Sequence, residues 1–347
     1  MLRKTLFVLG AGSSTEFDLP DGQKLATQIV KDLNIYFEDF TPRVSSGSQE
    51  IANAIRLHAP SEVNQHRGAA VQISAGLPFA NSIDTFMESH KDDPYIQVCG
   101  KLAIVKSILE AEHKSQLYLD PNRNQQEKFS FPRLKETWIS KLMRSLSEGI
   151  SKHETAKAFE NISFINFNYD RCVEQFFFHA MKARFTLSDE AAAEAMQALT
   201  IVHPYGTIGN LPWQKRSETV EYGQFKPSPE LLLTLSKRIR TFTEGSASKD
   251  LKSTIVKLIS EAELIVFLGF AYHKQNMQLL TPDADLDPKF PSARALGTAK
   301  GVSQSDRDVI EFSIKAMQRP VFLWSEAELK DASCSELLDA YKRTLFR

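Results

Sequence analysis

The sequence predicts an α/β fold: a Rossmann-like parallel sheet with helices on both faces and an inserted helical module. Three observations carry this reading. Short apolar runs of strand length recur, and two of them, Leu6–Leu9 and Leu264–Leu268, stop at a glycine. Helical patterns separate the later runs, and strands that alternate with helices form parallel sheets. The stretch between the first two runs shows mainly helical periodicity. The core is therefore residues 1–35 plus 155–347, and 36–154 is a mainly helical insertion that covers the site.

Leu6-Phe7-Val8-Leu9 reads as a buried strand that runs into the tight turn Gly10-Ala11-Gly12. Asp21 to Leu33 reads as a helix, with Leu25, Ile29, Val30 and Leu33 near one face. Residues 36 to about 60 are loop-like, then briefly helical through Ile51 and Ile55. A helical stripe of Ile83, Phe86 and Met87 follows Ser82, and Gln97 to Leu117 continues with Leu102, Val105 and Leu109. Residues 120 to 130 are polar and read as an exposed loop. Pro132 to His153, with Trp138, Leu142 and Leu146, reads as one more helix. Further strands are expected at Ile162–Ile165, Leu199–Val202, Leu264–Leu268, Ala293–Leu296 and Val321–Trp324. Helices are expected over 228–243, 249–261 and 304–318, the last capped by Ser303 or Ser305.

Composition narrows the function. The 347 residues are 42% apolar and 24% charged, with 42 Lys+Arg against 43 Asp+Glu. A formal net charge of −1 speaks against direct nucleic-acid binding through bulk electrostatics. No apolar run approaches the ~20 residues that span a bilayer, so no membrane is expected. The short apolar run after Met1-Leu2-Arg3-Lys4 is better read as a strand than as a signal peptide. Cys99, Cys172 and Cys334 are too far apart for a disulfide framework or a Cys-x-x-Cys metal site. A reducing, cytoplasmic setting without a metal is the expectation.

The turn Gly10-Ala11-Gly12-Ser13-Ser14 stands where open α/β sheets bind nucleotide phosphates. A dehydrogenase fingerprint needs a third glycine, but Thr15 is there, and Asp32 lies in a helix rather than at a strand end. No Gly-Lys-Ser/Thr follows, so it is not a Walker loop. A tight turn without a ligand is the alternative. Two more segments end strands: Asn166-Phe167-Asn168-Tyr169-Asp170 and His203-Pro204-Tyr205-Gly206. In a parallel sheet these ends share one edge, which places Asn168 and His203 at the crevice of the glycine turn. Singly, each has a plain structural reading. Asn168 forms an Asx-turn, Asp170 caps the helix that begins near Arg171, and His203 is a buried imidazole.

Together the three segments resemble the sirtuin-like family of NAD-consuming proteins. Its members carry Gly-Ala-Gly-x-Ser, then Pro-Asp, then Gln-Asn-x-Asp, then a His close before a Gly. Here Gly10-Ala11-Gly12-Ser13-Ser14, Pro20-Asp21, Phe167-Asn168-Tyr169-Asp170 and His203-Pro204-Tyr205-Gly206 follow in that order. Gly22-Gln23 replaces the family's Phe-Arg after Pro-Asp, and the zinc cysteines of the deacylases are missing. The pattern is closer to the zinc-less, NAD-hydrolysing branch of bacterial antiphage defence. The segments Phe79–Phe86 and Phe267–His273 also resemble that branch.

The resemblance implies NAD as substrate, with Asn168 orienting the ribose or the attacking water and His203 as general base. It implies that Gly10, Ala11, Gly12, Ser13 and Ser14 hold the pyrophosphate and that Asp170 bonds a ribose or fixes a loop. Asp84, on the insertion, reaches the nicotinamide end if the helical module closes over the crevice, and otherwise is an acid at a helix N-terminus; Gly206, Gly269, Phe270 and Asn276 line the rest. His273 reads as a solvated residue, and Phe176-Phe177-Phe178 as core or interface. The expected function is NAD glycohydrolysis by a defence effector. The alternatives are a non-catalytic sensor of NAD or ADP-ribose and, less well supported, a lysine deacylase. Expected partners are further copies of the chain and a separate sensor or helicase-type ATPase subunit.

Overall fold

The computed structural model describes residues 3–38, 43–120, 131–214, 218–246, 248–282, 293–317 and 326–345. Strand β1 (Thr5–Leu9) is buried along its whole length. Helix α1 (Gly22–Leu33) follows two short 3-10 turns, and the Asp21 carboxylate caps it by accepting from the Lys24 N–H. A small antiparallel pair, β2 (Tyr36–Phe37) and β3 (Val44–Ser46), leads into α2 (Gln49–His58), α3 (Val63–Gly76) and α4 (Ile83–Ser89). Helix α5 (Pro94–Lys114) has Asp93 as cap and proline at its start. Then come α6 (Phe131–Leu134), α7 (Trp138–Leu146), β4 (Ile162–Asn166), α8 (Cys172–Phe185), α9 (Asp189–Met196) and β5 (Thr200–Val202). The last part holds α10 (Pro229–Ser236), α11 (Phe242–Ser246), α12 (Lys249–Glu261), β6 (Leu264–Leu268) and α13 (Lys274–Leu280). It closes with β7 (Arg294–Thr298), α14 (Gln304–Met317), β8 (Ala327–Lys330), α15 (Cys334–Ala340) and α16 (Lys342–Leu345).

Among the described residues the main sheet has six strands in the order β5-β4-β1-β6-β7-β8, all parallel. Its side chains alternate between two faces. Leu6 and Val8 join a core with α1, α2, α3 and α5. Phe7 and Leu9 join a second core with Trp138, Leu142, Phe176 and Phe177. The insertion therefore divides: α2–α5 cover one face, and α7 covers the other.

Two buried ion pairs fasten α5 to the core. Asp32 of α1 accepts from Lys106 Nζ at 2.8 Å and Ser107 Oγ at 3.1 Å. Arg171, 1% exposed, meets Glu112, 0% exposed, through Nη2 at 2.5 Å and Nε at 3.1 Å. Its remaining donors reach the carbonyls of Val220 and Glu221.

Several boundaries differ from the sequence expectation. Pro132–His153 is not one helix: α6 and α7 are separate, and Gly149 in the left-handed region ends the run. The 228–243 stretch stops at Ser236, and α11 starts anew. Helices α3, α9, α13 and α15 had no strong apolar stripe; α3 and α9 face the core with several alanines. The expected strand Val321–Trp324 and the loop 121–130 lie outside the described residues. The sixth strand is β8, whose Ala-Glu-Leu-Lys pattern suits a half-exposed edge. Ser303 is the cap of α14, accepting from the Asp306 N–H.

Candidate functional site

The register of β1 builds the site. Leu9 pairs with Asn166 on one side and with Leu268 on the other. Three strand ends therefore stop level, and Gly10, Asn168 and Gly269 follow them at the point where the strand order reverses direction. Ligands bind at such a point in open α/β sheets. A crevice of ≈ 1030 Å³ lies there, with Gly10, Ala11, Gly12, Asn168, Asp170, Tyr205 and Asn276 on its walls. Asp84 reaches it from the first turn of α4.

The glycines serve the fold first. Gly10 N–H donates to Leu268 O at 3.1 Å, and Gly12 N–H to Gly269 O at 3.0 Å. A Cβ on Gly12 would lie 2.8 Å from Gly269 Cα. Gly269 has φ +57°, and a Cβ there would meet Ser13 N at 2.0 Å. Two backbones thus cross in contact, and only glycine fits. This changes the expected pyrophosphate cradle. Ser13 N–H donates to Gly10 O and Ser14 N–H to Ala11 O, so these groups are already engaged. Ser13 and Ser14 are buried behind the wall, and the start of α1 is occupied by the Asp21 carboxylate.

Asn168 is 7% exposed and organises the floor. Its Nδ2 donates to Gly10 O and to Ser14 Oγ, each at 3.1 Å. Its Oδ1 has no protein donor among the described residues. Ser14 Oγ in turn donates to Asp170 Oδ2 at 2.9 Å, and Asp170 Oδ1 accepts from the Cys172 N–H at the start of α8. Asp170 is thus a helix-capping residue at the crevice wall. Burial raises its carboxyl above the ordinary value, against the opposing pull of those hydrogen bonds.

Asp84 accepts from the Tyr169 hydroxyl through Oδ1. Burial raises its carboxyl, and burial together with the Asp84 charge raises the Tyr169 hydroxyl well above the ordinary value. Tyr205 donates to Asn276 Oδ1 at 2.7 Å. Gly269 and Phe270 line the opposite wall, as does His273, whose imidazole is shifted down by burial. Lys300 stands exposed on the wall.

His203 departs from expectation. It lines a second cavity of ≈ 790 Å³, together with Gly206, and not the glycine crevice. Its Nδ1 bonds the Asn168 carbonyl at 3.1 Å, and its Nε2 bonds Glu174 Oε1 at 2.9 Å. The Asn168 carbonyl only accepts, so Nδ1 donates to it; opposite an ionised Glu174, Nε2 donates as well and the ring carries a proton on both nitrogens. Burial opposes that charge, but Glu174 prevails and raises the imidazole above its ordinary value. An imidazolium bound at both nitrogens has no lone pair to take a proton. The side chain that enters the crevice from this loop is Tyr205.

Sequence reasoning brought Asn168, Asp170, Asp84, Gly269, Phe270 and Asn276 to one crevice, and the structure places them there. It missed Tyr169 and Tyr205. Both stand in bends or turns just past β4 and β5, where no strand periodicity sets which way a side chain faces. Among the described residues, no three His, Cys, Asp or Glu side chains gather as a metal site. No protein-family model matches the chain, and no curated protein matches it.

Proposed function

We propose that the chain is an NAD glycohydrolase that splits NAD and water into nicotinamide, ADP-ribose and a proton. The observation that carries the reading is the placement of Asn168 where three strand ends meet, opposite an Asp84 carboxyl from the insertion. The bond from ribose C1′ to a cationic ring nitrogen breaks with a neutral leaving group. That step needs positioning and negative charge near an oxocarbenium-like carbon more than a strong acid. Asn168 Oδ1 accepts from a ribose hydroxyl or the attacking water. Asp84 offers its second oxygen to the same water and takes up its proton. His203 holds the Asn168 backbone from behind, as a positioning residue. The adenosine side lies along Gly269, Phe270 and Asn276.

By the same resemblance, the chain serves as effector of a bacterial antiphage defence system in the cytoplasm. It works there as a homo-oligomer under a separate sensor or helicase-type ATPase subunit.

A second reading has its own support. Because both His203 nitrogens are bonded outside the crevice, a non-catalytic NAD or ADP-ribose sensor also fits. One experiment separates the two. Purified protein is incubated with NAD, and nicotinamide and ADP-ribose are quantified for wild type, Asn168→Ala and Asp84→Asn. Cleavage lost in Asn168→Ala supports hydrolysis. Saturable NAD binding without cleavage, alone or in assemblies, supports the sensor.

A further inference from the structure

The glycine crevice has two unlike ends. Of the charged side chains on its walls, Asp21, Asp84 and Asp170 stand toward α1, the insertion and β4. Lys300, two residues past β7, and the imidazole of His273, just before α13, stand toward the other end. The nicotinamide ring of NAD is a cation, and Asp84 receives it in the proposed pose. The adenosine ribose then lies toward His273 and Lys300.

The chain before His273 puts its ring on the crevice wall. Tyr272 has φ +54°, a costly left-handed conformation for a tyrosine. Its hydroxyl donates to Thr298 O at 3.1 Å, and its ring packs against Phe267 and Phe270 with centroids 5.6 and 5.3 Å away. Contacts to both β6 and β7 therefore hold the strained turn in place. Tyr272 faces the core, and the next side chain, His273, is left lining the crevice. The imidazole is half-buried and has no hydrogen-bond partner among the described residues. Burial shifts it down, so the neutral ring keeps one N–H free for a ligand. Lys300 has no ion pair among the described residues.

In dinucleotide sites of open α/β sheets, a carboxylate at the adenosine ribose bonds a free 2′-hydroxyl, and a cation there accommodates a 2′-phosphate. Here that end of the crevice carries a cation and an imidazole donor, and the carboxylates are at the opposite end. We propose that His273 and Lys300 form a seat for the adenosine 2′-phosphate, so that the crevice takes NADP in preference to NAD. His273 donates a ring N–H to a phosphate oxygen, and Lys300 supplies the counter-charge. The inference rests on the reading of the crevice as a dinucleotide site, and it extends that reading from the scissile bond to the far ribose.

Adenosine 2′,5′-bisphosphate and AMP are titrated into the whole chain by calorimetry. The two probes differ only in the 2′-phosphate. The bisphosphate is expected to bind about tenfold more tightly, the order of one charge-assisted contact. His273→Ala and Lys300→Ala each narrow that ratio, and the double variant removes it. Neither change breaks a hydrogen bond among the described residues, and melting curves check that both variants fold. Lys274→Ala is the control: it removes an exposed cation next to His273 that does not line the crevice, and it keeps the wild-type ratio. In turnover, kcat/KM for NADP relative to NAD falls in the double variant through a higher KM for NADP.

Equal affinity for the two probes overturns the proposal, as does failure of both to bind. A ratio that persists in the double variant overturns it, and so does one that Lys274→Ala lowers as far. The seat and the cleavage reading fail separately. A preference for the bisphosphate without cleavage of either dinucleotide removes the hydrolase and keeps the seat. Cleavage of NAD with equal probe affinities removes the seat and keeps the hydrolase.

Discussion

His203 and Asn168 meet through the backbone: the imidazole Nδ1 donates to the Asn168 carbonyl at 3.1 Å while the Asn168 amide faces the other way, toward the crevice. The two residues that sequence paired as catalysts thus stand on opposite sides of one peptide unit. One shapes the crevice, and the other braces it from behind.

The His203–Glu174 pair makes stability depend on pH. The folded-state imidazole titrates above its ordinary 6.5. Its contribution is therefore fully present below about pH 6.5 and is lost as pH rises through the folded value. Glu174→Gln removes the counter-charge and leaves burial to dominate. The variant is expected to lose most melting temperature at acidic pH and to approach wild type at alkaline pH. Melting curves from pH 5.5 to 9 check this, and a constant offset across the range speaks against it.

Asn168→Ala is expected to lower NAD cleavage about a hundredfold or more, the scale of removing one polar group from a reacting centre. The same change leaves Gly10 O and Ser14 Oγ without their amide donor, so melting temperature falls modestly as well. Measuring turnover below the variant's own melting range keeps the two effects apart.

If Asp84 works as a carboxylate, cleavage rises with pH as it ionises. Burial lifts that midpoint above the ordinary 3.8. Asp84→Asn is expected to flatten this limb of the profile. Tyr169→Phe removes a bond that favours the ionised form and is expected to move the limb to higher pH. A limb unmoved by both changes would show that another group titrates.

Gly269→Ala meets the Ser13 N–H and a left-handed backbone at once. The expected cost is roughly 2–5 kcal/mol, from the left-handed penalty plus overpacking. Urea unfolding measures it. Gly22→Ala is the control, because nothing stands within 4 Å of a Cβ there.

Arg171→Ala leaves Glu112 buried without its cation, which costs about 3–5 kcal/mol in general. Because Arg171 also ties the carbonyls of Val220 and Glu221, amide exchange should rise in α5 and around 220–223 together. Exchange confined to the 220–223 loop counts against this linkage.

Much of the fold was legible because its strands are fully buried. Leu264–Leu268 and Leu6–Leu9 need continuous apolar runs when both faces of a sheet are covered. The edge strand Ala327–Lys330 left no such run, since half of it meets water. Helix α3 was equally faint, because alanines at Ala69 and Ala70 let it pack closely without large apolar side chains.

By itself the sequence determined the parallel α/β sheet, the crevice at its glycine turn and the residues at three strand ends. Burial, strand alternation and turn chemistry are local properties that one chain segment carries alone. Only the tertiary structure decided which way each loop side chain turns. Proximity along a sheet edge does not set facing, and facing depends on partners far apart in the chain. Glu174, on a helix across the edge, drew His203 out of the crevice, and Asn276 held Tyr205 within it. The same long-range contact gave the glycines their main task, because Gly12 and Gly269 are close only once β1 and β6 have paired.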